Sequence, residues 1–234
     1  MADRENTPLR FVLEGGVGCG KSTLIQQLQQ HSSTSHWQCF LEPLLRWKDF
    51  NGIDYLDRFY KSPKAPGFCK DLQSVVLHSY KELMERTVTG PVQLYERSAY
   101  SAMEIFCPAN FDKEFLNVDD MSSLEKQYRK DIIPLGEFHG WIYLRTTPQL
   151  CYERMKQRGY PNDGLLDLEY AQVVHDYHEE VFGSKPGTLI VDETSAEQSV
   201  ALKMKAVITF VQRKLYETGV VYVALPDGSL NLRT

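Results

Sequence analysis

The chain has 234 residues, of which 42% are hydrophobic and 24% charged, and its formal net charge is −5 at pH 7. This size and composition fit one globular domain over residues 1–234, and the mild acidity excludes a general attraction to nucleic acid or anionic membranes. No apolar run has the length of a membrane span, and the first eight residues lack a signal-peptide core and are too acidic for a mitochondrial leader. We therefore expect a cytoplasmic protein, with neither nucleic acid nor membrane as partner, whose five cysteines are free thiols.

The hydrophobic pattern alternates between short strands and longer helices along the chain. Predicted strands cover residues 10–14, 37–41, 92–95, 140–144 and 189–191. Predicted helices cover residues 21–31, 71–87, 99–107, 121–133, 148–158, 165–182 and 196–216. Residues 50–70 and 111–120 are expected to be connections, and residues 219–234 a weak strand with a loose tail. This alternation predicts an α/β fold with a doubly wound parallel sheet between helices.

A glycine-rich turn joins the first predicted strand to the first predicted helix. Residues 15–22 fit G-x-x-x-x-G-K-[ST], a loop whose backbone N–H groups and following helix bind the phosphates of a nucleoside triphosphate. Lys21 is expected to neutralise charge between the β- and γ-phosphates, and the Ser22 hydroxyl to bind Mg²⁺. The residues assigned to ATP in this loop are Gly15, Gly16, Val17, Gly18, Cys19, Gly20, Lys21, Ser22 and Thr23. The loop alone does not identify the acceptor of the γ-phosphate.

Charged residues stand at the ends of three further predicted strands. Glu42 follows the second strand, Glu96 and Arg97 follow the third, and Asp192 closes the fifth. The carboxyl ends of parallel strands meet at the crevice where such sheets bind their ligands. The pattern therefore predicts that these side chains lie near the phosphate loop.

Two arginines, Arg154 and Arg158, are four residues apart on the predicted helix 148–158 and so share a face. The turn-rich break at residues 159–164 would let this segment move as a lid over bound phosphates. The spacing of the charges alone leaves a solvated helical face as an equal alternative.

Further motifs occur in a characteristic order. They are Glu42-Pro43-x-x-x-Trp47, Glu96-Arg97-Ser98 with Tyr100-Ser101, Tyr143-Leu144-Arg145-Thr146-x-Pro148, and Arg154-x-x-x-Arg158-Gly159. With the phosphate loop, they make the chain resemble the deoxynucleoside kinase family, which includes deoxycytidine, deoxyguanosine and mitochondrial thymidine kinases. The resemblance implies a P-loop kinase fold with a five-stranded parallel sheet and a helical lid near residues 154–165. It also implies Mg²⁺, ATP as donor, a homodimer, and phosphorylation of the 5′-OH of a deoxyribonucleoside for nucleotide salvage.

The resemblance assigns roles to the charged residues. Glu42 resembles the general base that deprotonates the 5′-OH, and Arg97 the arginine that orients this base. Glu96 would hold Mg²⁺ together with Ser22. The lid arginines and Asp192 would contact ATP, and Lys21 completes the catalytic set.

The resemblance also implies a nucleoside pocket. Its expected residues are Glu42, Trp47, Tyr60, Gln73, Val76, Tyr80, Arg97, Ala102, Phe106 and Asp163. Gln73 would read the base edge, and its amide suits thymine or cytosine because it both donates and accepts. Tyr80 and Ala102 stand where members that favour deoxycytidine or purines carry an Arg and an Asp. This uncharged pair favours pyrimidines, with thymidine first and deoxycytidine close.

Two other functions fit a phosphate loop. One is a nucleoside monophosphate kinase of the thymidylate kinase type, which would need more cations for the acceptor phosphate. The other is a non-catalytic nucleotide switch, which would need neither Gln73 nor a base at Glu42. Glu96-Arg97 combined with Glu42-Pro43-x-x-x-Trp47 favours the nucleoside acceptor.

Overall fold

A computed structural model describes residues 8–86, 90–159, 167–194 and 198–218, together with the backbone of residues 221–224 and 230–233. Asp163, expected at the sugar, lies outside the described residues, as do most of the expected lid break and much of the tail. Among the described helices, none combines the length and the apolar character that crossing a membrane requires.

Five parallel strands form the central sheet, as the sequence predicts. They are β1 (Leu9–Glu14), β2 (Trp37–Phe40), β3 (Val92–Glu96), β4 (Gly140–Arg145) and β5 (Thr188–Asp192), in the spatial order β2-β3-β1-β4-β5. The central strand β1 pairs with β3 so that Leu13 lies opposite Glu96. This register brings the start of the phosphate loop beside the charged end of β3. The strands β6 (Val221–Ala224) and β7 (Leu230–Arg233) form a separate antiparallel pair.

Helices connect the strands on both faces. They are α1 (Lys21–Gln30), α2 (Leu44–Lys48), α3 (Tyr55–Lys61), α4 (Phe68–Met84), α5 (Ala99–Ser101), α6 (Cys107–Asp112), α7 (Val118–Asp131), α8 (Pro148–Arg158), α9 (Leu168–Phe182) and α10 (Val200–Glu217). A π-helical turn, Ala102–Phe106, joins α5 to α6. Helix α5 itself follows Ser98, whose hydroxyl accepts a hydrogen bond from Ser101 N and so caps its start.

The expectation of a connection over residues 50–70 is wrong, because α3 and the first turn of α4 lie within it. Helix α3 has only seven residues, too few to show a helical repeat, and it is recognised by its cap. The Asp54 carboxylate accepts a hydrogen bond from Asp57 N at 2.8 Å, while Leu56 and Phe59 are buried. Likewise, α6 and α7 shorten the connection expected at residues 111–120.

The helices cover the sheet with two large apolar clusters. On one side α1 and α10 pack on the strands through residues such as Phe11, Leu28 and Phe210. On the other side α4 and α7 form a second cluster that includes Tyr80 and Leu124. The two clusters hold the carboxyl ends of the strands in place.

Leu28→Ala tests the first cluster. Because the Leu28 side chain is fully buried, its truncation should lower the free energy of unfolding by about 2–5 kcal/mol. Leu202→Ala is the matched control, since Leu202 is exposed on α10 and its truncation should cost less than about 0.5 kcal/mol. Urea unfolding measures both, and equal losses would contradict this packing.

Candidate active site

The glycine-rich turn wraps the amino end of α1 tightly against α8. Gly18 has φ +89°, and a Cβ there would collide with the carbonyl oxygen of Cys151, so only glycine fits. Lys21 is buried inside the turn, where its Nζ donates to the carbonyl oxygens of Gly15 at 2.9 Å and Gly16 at 2.8 Å. The Cys19 side chain is fully buried behind the turn.

Ser22 and Glu96, the two expected Mg²⁺ ligands, are in contact. The Ser22 hydroxyl donates to Oε1 of Glu96 at 2.6 Å, and Oε2 of Glu96 accepts from the backbone N–H of Glu42 at 3.3 Å. Mg²⁺ in kinases is held by one or two protein oxygen ligands together with phosphates and water. One hydroxyl and one carboxylate beside a phosphate loop fit that donor set.

Glu42 and Arg97 form a buried ion pair at the same sheet edge. Nη1 of Arg97 donates to Oε1 of Glu42 at 2.6 Å, and both side chains are about nine-tenths buried, with exposures of 9% and 10%. Burial disfavours the charge on Arg97, but Glu42 more than compensates and raises the pKa of the guanidinium above its ordinary value. The pair is therefore fixed as an ion pair between two structural elements.

Arg97 is held by contacts on several sides. Its backbone has φ +56°, a strained value for a residue other than glycine, and its N–H donates to Leu13 O at 3.0 Å. Its guanidinium lies 5.0 Å from the ring centre of Phe106, and Nη2 donates to Gly15 O at 3.4 Å. The same side chain thus touches the phosphate loop, the predicted base and the predicted aromatic wall.

Two adjoining cavities meet at this ion pair. The smaller is lined by Val17, Glu42, Trp47, Leu56, Phe59, Tyr60, Leu72, Gln73, Val76, Tyr80, Arg97, Ser98, Ser101, Ala102, Phe106, Asn110 and Tyr170. It contains all the expected nucleoside-binding residues that the structure describes. Its mixed apolar and polar lining is typical of a small-molecule site.

The pocket walls are fixed by hydrogen bonds. Nε1 of Trp47 donates to the Ser79 hydroxyl at 2.8 Å, and the Tyr80 hydroxyl donates to the carbonyl oxygen of Glu96 at 3.0 Å. Tyr80 and the small side chain of Ala102 both line this cavity.

The larger cavity is a cleft over the phosphate loop. Its lining includes Val17, Gly18, Gly20, Lys21, Ser22, Thr23, Glu42, Glu96, Arg97, Arg154, Arg158 and Lys203. Glu42 and Arg97 belong to both cavities and stand where they join. A group bound in one cavity can thus meet a group bound in the other at this ion pair.

Asp192 is not among the residues that line this cleft, and its carboxylate binds other groups. Its carboxylate accepts from Nη1 of Arg145 at 3.1 Å and from Thr194 N at 2.9 Å, and its role in ATP binding stays a prediction. The next residue, Glu193, is buried instead and pairs with Lys203 at 2.7 Å and with Arg154 at 3.9 Å. The strand-end pattern did not predict Glu193, because it indicated Asp192 as the charged residue that follows β5.

Glu14 is a second residue that the sequence analysis missed. It ends β1 directly before the phosphate loop, is fully buried, and accepts a hydrogen bond from the Ser98 hydroxyl at 2.7 Å. Burial raises its pKa from 4.5 to about 7, against the lowering effect of Ser98 and Arg97. Its signal was a single carboxylate directly after the apolar run Phe11-Val12-Leu13.

Comparison with known proteins decides the family. The family model for deoxynucleoside kinases matches residues 11–215. The chain belongs to the deoxynucleoside kinase family. The family predicted from the motifs, the P-loop kinase fold, ATP as donor and deoxynucleoside kinase activity are thereby confirmed, and neither alternative function is favoured.

The relatives of this deoxynucleoside kinase are named for different nucleosides. It is 27% identical over 208 residues to the thymidine kinase of Ictalurid herpesvirus 1, covering 86% of this chain and 89% of that protein. It is 29% identical to deoxycytidine kinase 2 of Gallus gallus, covering 73% of this chain and 72% of the relative. It is 28% identical to the mitochondrial thymidine kinase 2 of Homo sapiens, covering 72% and 62%.

Glu14→Gln should change how the stability of the kinase depends on pH. Because the folded state holds the Glu14 proton more tightly, the stability from this group is fully present below about pH 4.5 and is lost as pH rises through about 7. Relative to Glu14→Gln, the wild type should therefore lose stability across that window. Urea unfolding of both proteins at a series of pH values measures this, and a constant difference would contradict it.

Proposed function

We propose that the kinase transfers the γ-phosphoryl group of ATP to the 5′-OH of a pyrimidine deoxyribonucleoside, with thymidine preferred and deoxycytidine close. The observation that carries the proposal is the Glu42–Arg97 ion pair at the junction of the two cavities. A nucleoside in the smaller cavity would direct its 5′-OH towards this pair. ATP in the cleft would bring its γ-phosphate to the same point.

Glu42 is the proposed general base. Its carboxylate accepts the proton of the 5′-OH while that oxygen forms a bond to the γ-phosphorus and the bond to the β–γ bridging oxygen breaks. Arg97 orients the carboxylate through the 2.6 Å hydrogen bond and offers positive charge beside the attacking oxygen. The transfer is direct and in line, with no phosphorylated residue.

Cations surround the proposed path of the phosphoryl group. Lys21 lies inside the phosphate loop, and Arg154 and Arg158 line the cleft from α8. These charges would stabilise the oxygens of the transferring group more strongly as the bond to ADP breaks. Ser22 and Glu96 would hold Mg²⁺, which supplies further charge neutralisation at the β- and γ-phosphates.

The pocket lining supports a pyrimidine. Gln73 offers both a donor and an acceptor to the base edge, and Phe106 offers a flat face for stacking. Tyr80 and Ala102 both line the cavity, and we infer that the large Tyr80 ring takes space that a purine would need while Ala102 leaves room for the 5-methyl group of thymine. We also propose a homodimer, which analytical ultracentrifugation would measure.

A substrate panel tests the proposal directly. The protein is incubated with Mg-ATP and with thymidine, deoxycytidine, deoxyguanosine, deoxyadenosine or the corresponding monophosphates. We expect monophosphate products from thymidine and deoxycytidine, with weaker turnover of the purine nucleosides. Product from the monophosphates alone would overturn the proposal.

Glu42→Gln should lower kcat for thymidine by about 10²–10⁴-fold, because the amide cannot accept the 5′-OH proton. Glu82→Gln is the matched control, since Glu82 is an exposed partner of Arg46 and should leave kcat unchanged. Steady-state kinetics measures both. Near-normal kcat in Glu42→Gln would remove Glu42 as the base.

Ala102 and Tyr80 should determine the preference of this kinase for thymidine over deoxycytidine. The double variant Tyr80→Arg, Ala102→Asp places a charged pair where the 5-methyl group would lie and should shift the ratio of kcat/KM away from thymidine towards deoxycytidine. Ala102→Val fills the same space without charge and should also penalise thymidine more than deoxycytidine. Unchanged ratios in both variants would show that this end of the pocket does not meet the base.

A further inference from the structure

The nucleoside cavity contains a second buried amide besides Gln73. Asn110 lies on α6, four residues beyond Phe106 and eight beyond Ala102, and all three side chains line the cavity. Asn110 is 1% exposed, and its carbonyl oxygen accepts hydrogen bonds from Phe115 N at 2.8 Å and Leu116 N at 3.3 Å. Its backbone is therefore held firmly at the cavity wall.

The orientation of the Asn110 amide is set by Tyr170. The Tyr170 hydroxyl, on α9, donates to Oδ1 of Asn110 at 3.0 Å, and both residues line the cavity. Among the described residues, Tyr170 is the only hydrogen-bond partner of the Asn110 side chain. With Oδ1 engaged by Tyr170, the part of the amide that remains for a ligand is Nδ2, which is only a donor.

A buried donor in a base pocket suits an acceptor common to the accepted bases. Thymine and cytosine differ at position 4, but both carry a carbonyl oxygen, O2, on the other side of N3. The one donor end and one acceptor end of the Gln73 amide match N3 and the group at position 4 of either base, which leaves O2 without a partner. An unpaired carbonyl oxygen in a closed pocket would cost binding free energy, so a donor is needed there.

We propose that Asn110 determines specificity by donating a hydrogen bond from Nδ2 to O2 of the pyrimidine ring, with Tyr170 as the residue that positions its amide. The inference rests on the proposed function. Gln73 then reads the edge where thymine and cytosine differ, and Asn110 reads the group they share. Guanine presents an amino group at its position 2 and adenine a C–H, and neither accepts a hydrogen bond from Asn110.

The test pairs a protein change with a substrate change. Thymidine and 2-thiothymidine differ only at this atom, and sulfur is a much weaker acceptor than oxygen. Asn110→Leu should lower kcat/KM by about tenfold for thymidine and deoxycytidine. For 2-thiothymidine the loss should stay within about twofold, because the interaction is already weakened there.

Two further variants separate the hydrogen bond from packing. Asn110→Asp keeps the side-chain volume and the acceptor for Tyr170 but replaces the donor with an acceptor, and should lose at least as much activity on thymidine. Tyr170→Phe releases the amide and should cause a smaller loss. Asn117→Asp, the same change at the cap of α7 outside the cavity, should leave the ratio of thymidine to 2-thiothymidine unchanged.

Thermal melts identify any variant that fails to fold, in which case the remaining variants decide the question. Equal losses on thymidine and 2-thiothymidine, or no loss in either Asn110 variant, would overturn the role of Asn110. A wild type that phosphorylates no deoxynucleoside would instead overturn the proposed function. The two failures are therefore distinguishable.

Discussion

The ion pair between Arg97 and Glu42 is the constraint on which the site depends. Removing two charges from water is expensive unless they are paired and hydrogen-bonded, and here they meet at 2.6 Å. The backbone of Arg97 is strained, with φ +56°, where its side chain reaches Glu42 from the end of β3. Its contact with Phe106 joins the same interaction to the wall of the nucleoside cavity. A change in this pair would therefore disturb the proposed base, the proposed nucleoside pocket and the phosphate loop together.

The sheet explains why these groups meet. β1 lies between β3 and β4, so the loop that follows Glu14 emerges beside Glu96 and Arg97. Two carboxylates then take different roles through their surroundings. Glu14 is fully buried, which raises its pKa to about 7. It supports the loop by accepting a hydrogen bond from the Ser98 hydroxyl. Glu42 faces both cavities and is paired with a cation, which suits the role of general base that we propose for it.

The sequence could predict much of this because its signals are local. Strand-end charges such as Glu42 and Arg97 and the phosphate loop each have a short pattern, and parallel strands bring their carboxyl ends together. Helix α3 was missed because seven residues carry no periodic signal. Asn110 and Glu193 were missed for another reason. Their environment is made by distant partners, Tyr170 on α9 and Lys203 on α10, which no local pattern reveals.

We propose that the acceptor oxygen, held at the Glu42–Arg97 pair, attacks the γ-phosphorus of ATP directly. Stereochemistry at phosphorus tests it without altering the protein. ATP whose γ-phosphorus is made chiral with oxygen isotopes is turned over with thymidine, and the configuration of the thymidine monophosphate is determined by phosphorus NMR. A single in-line transfer predicts inversion. Retention would require a phosphorylated protein intermediate and would contradict the account.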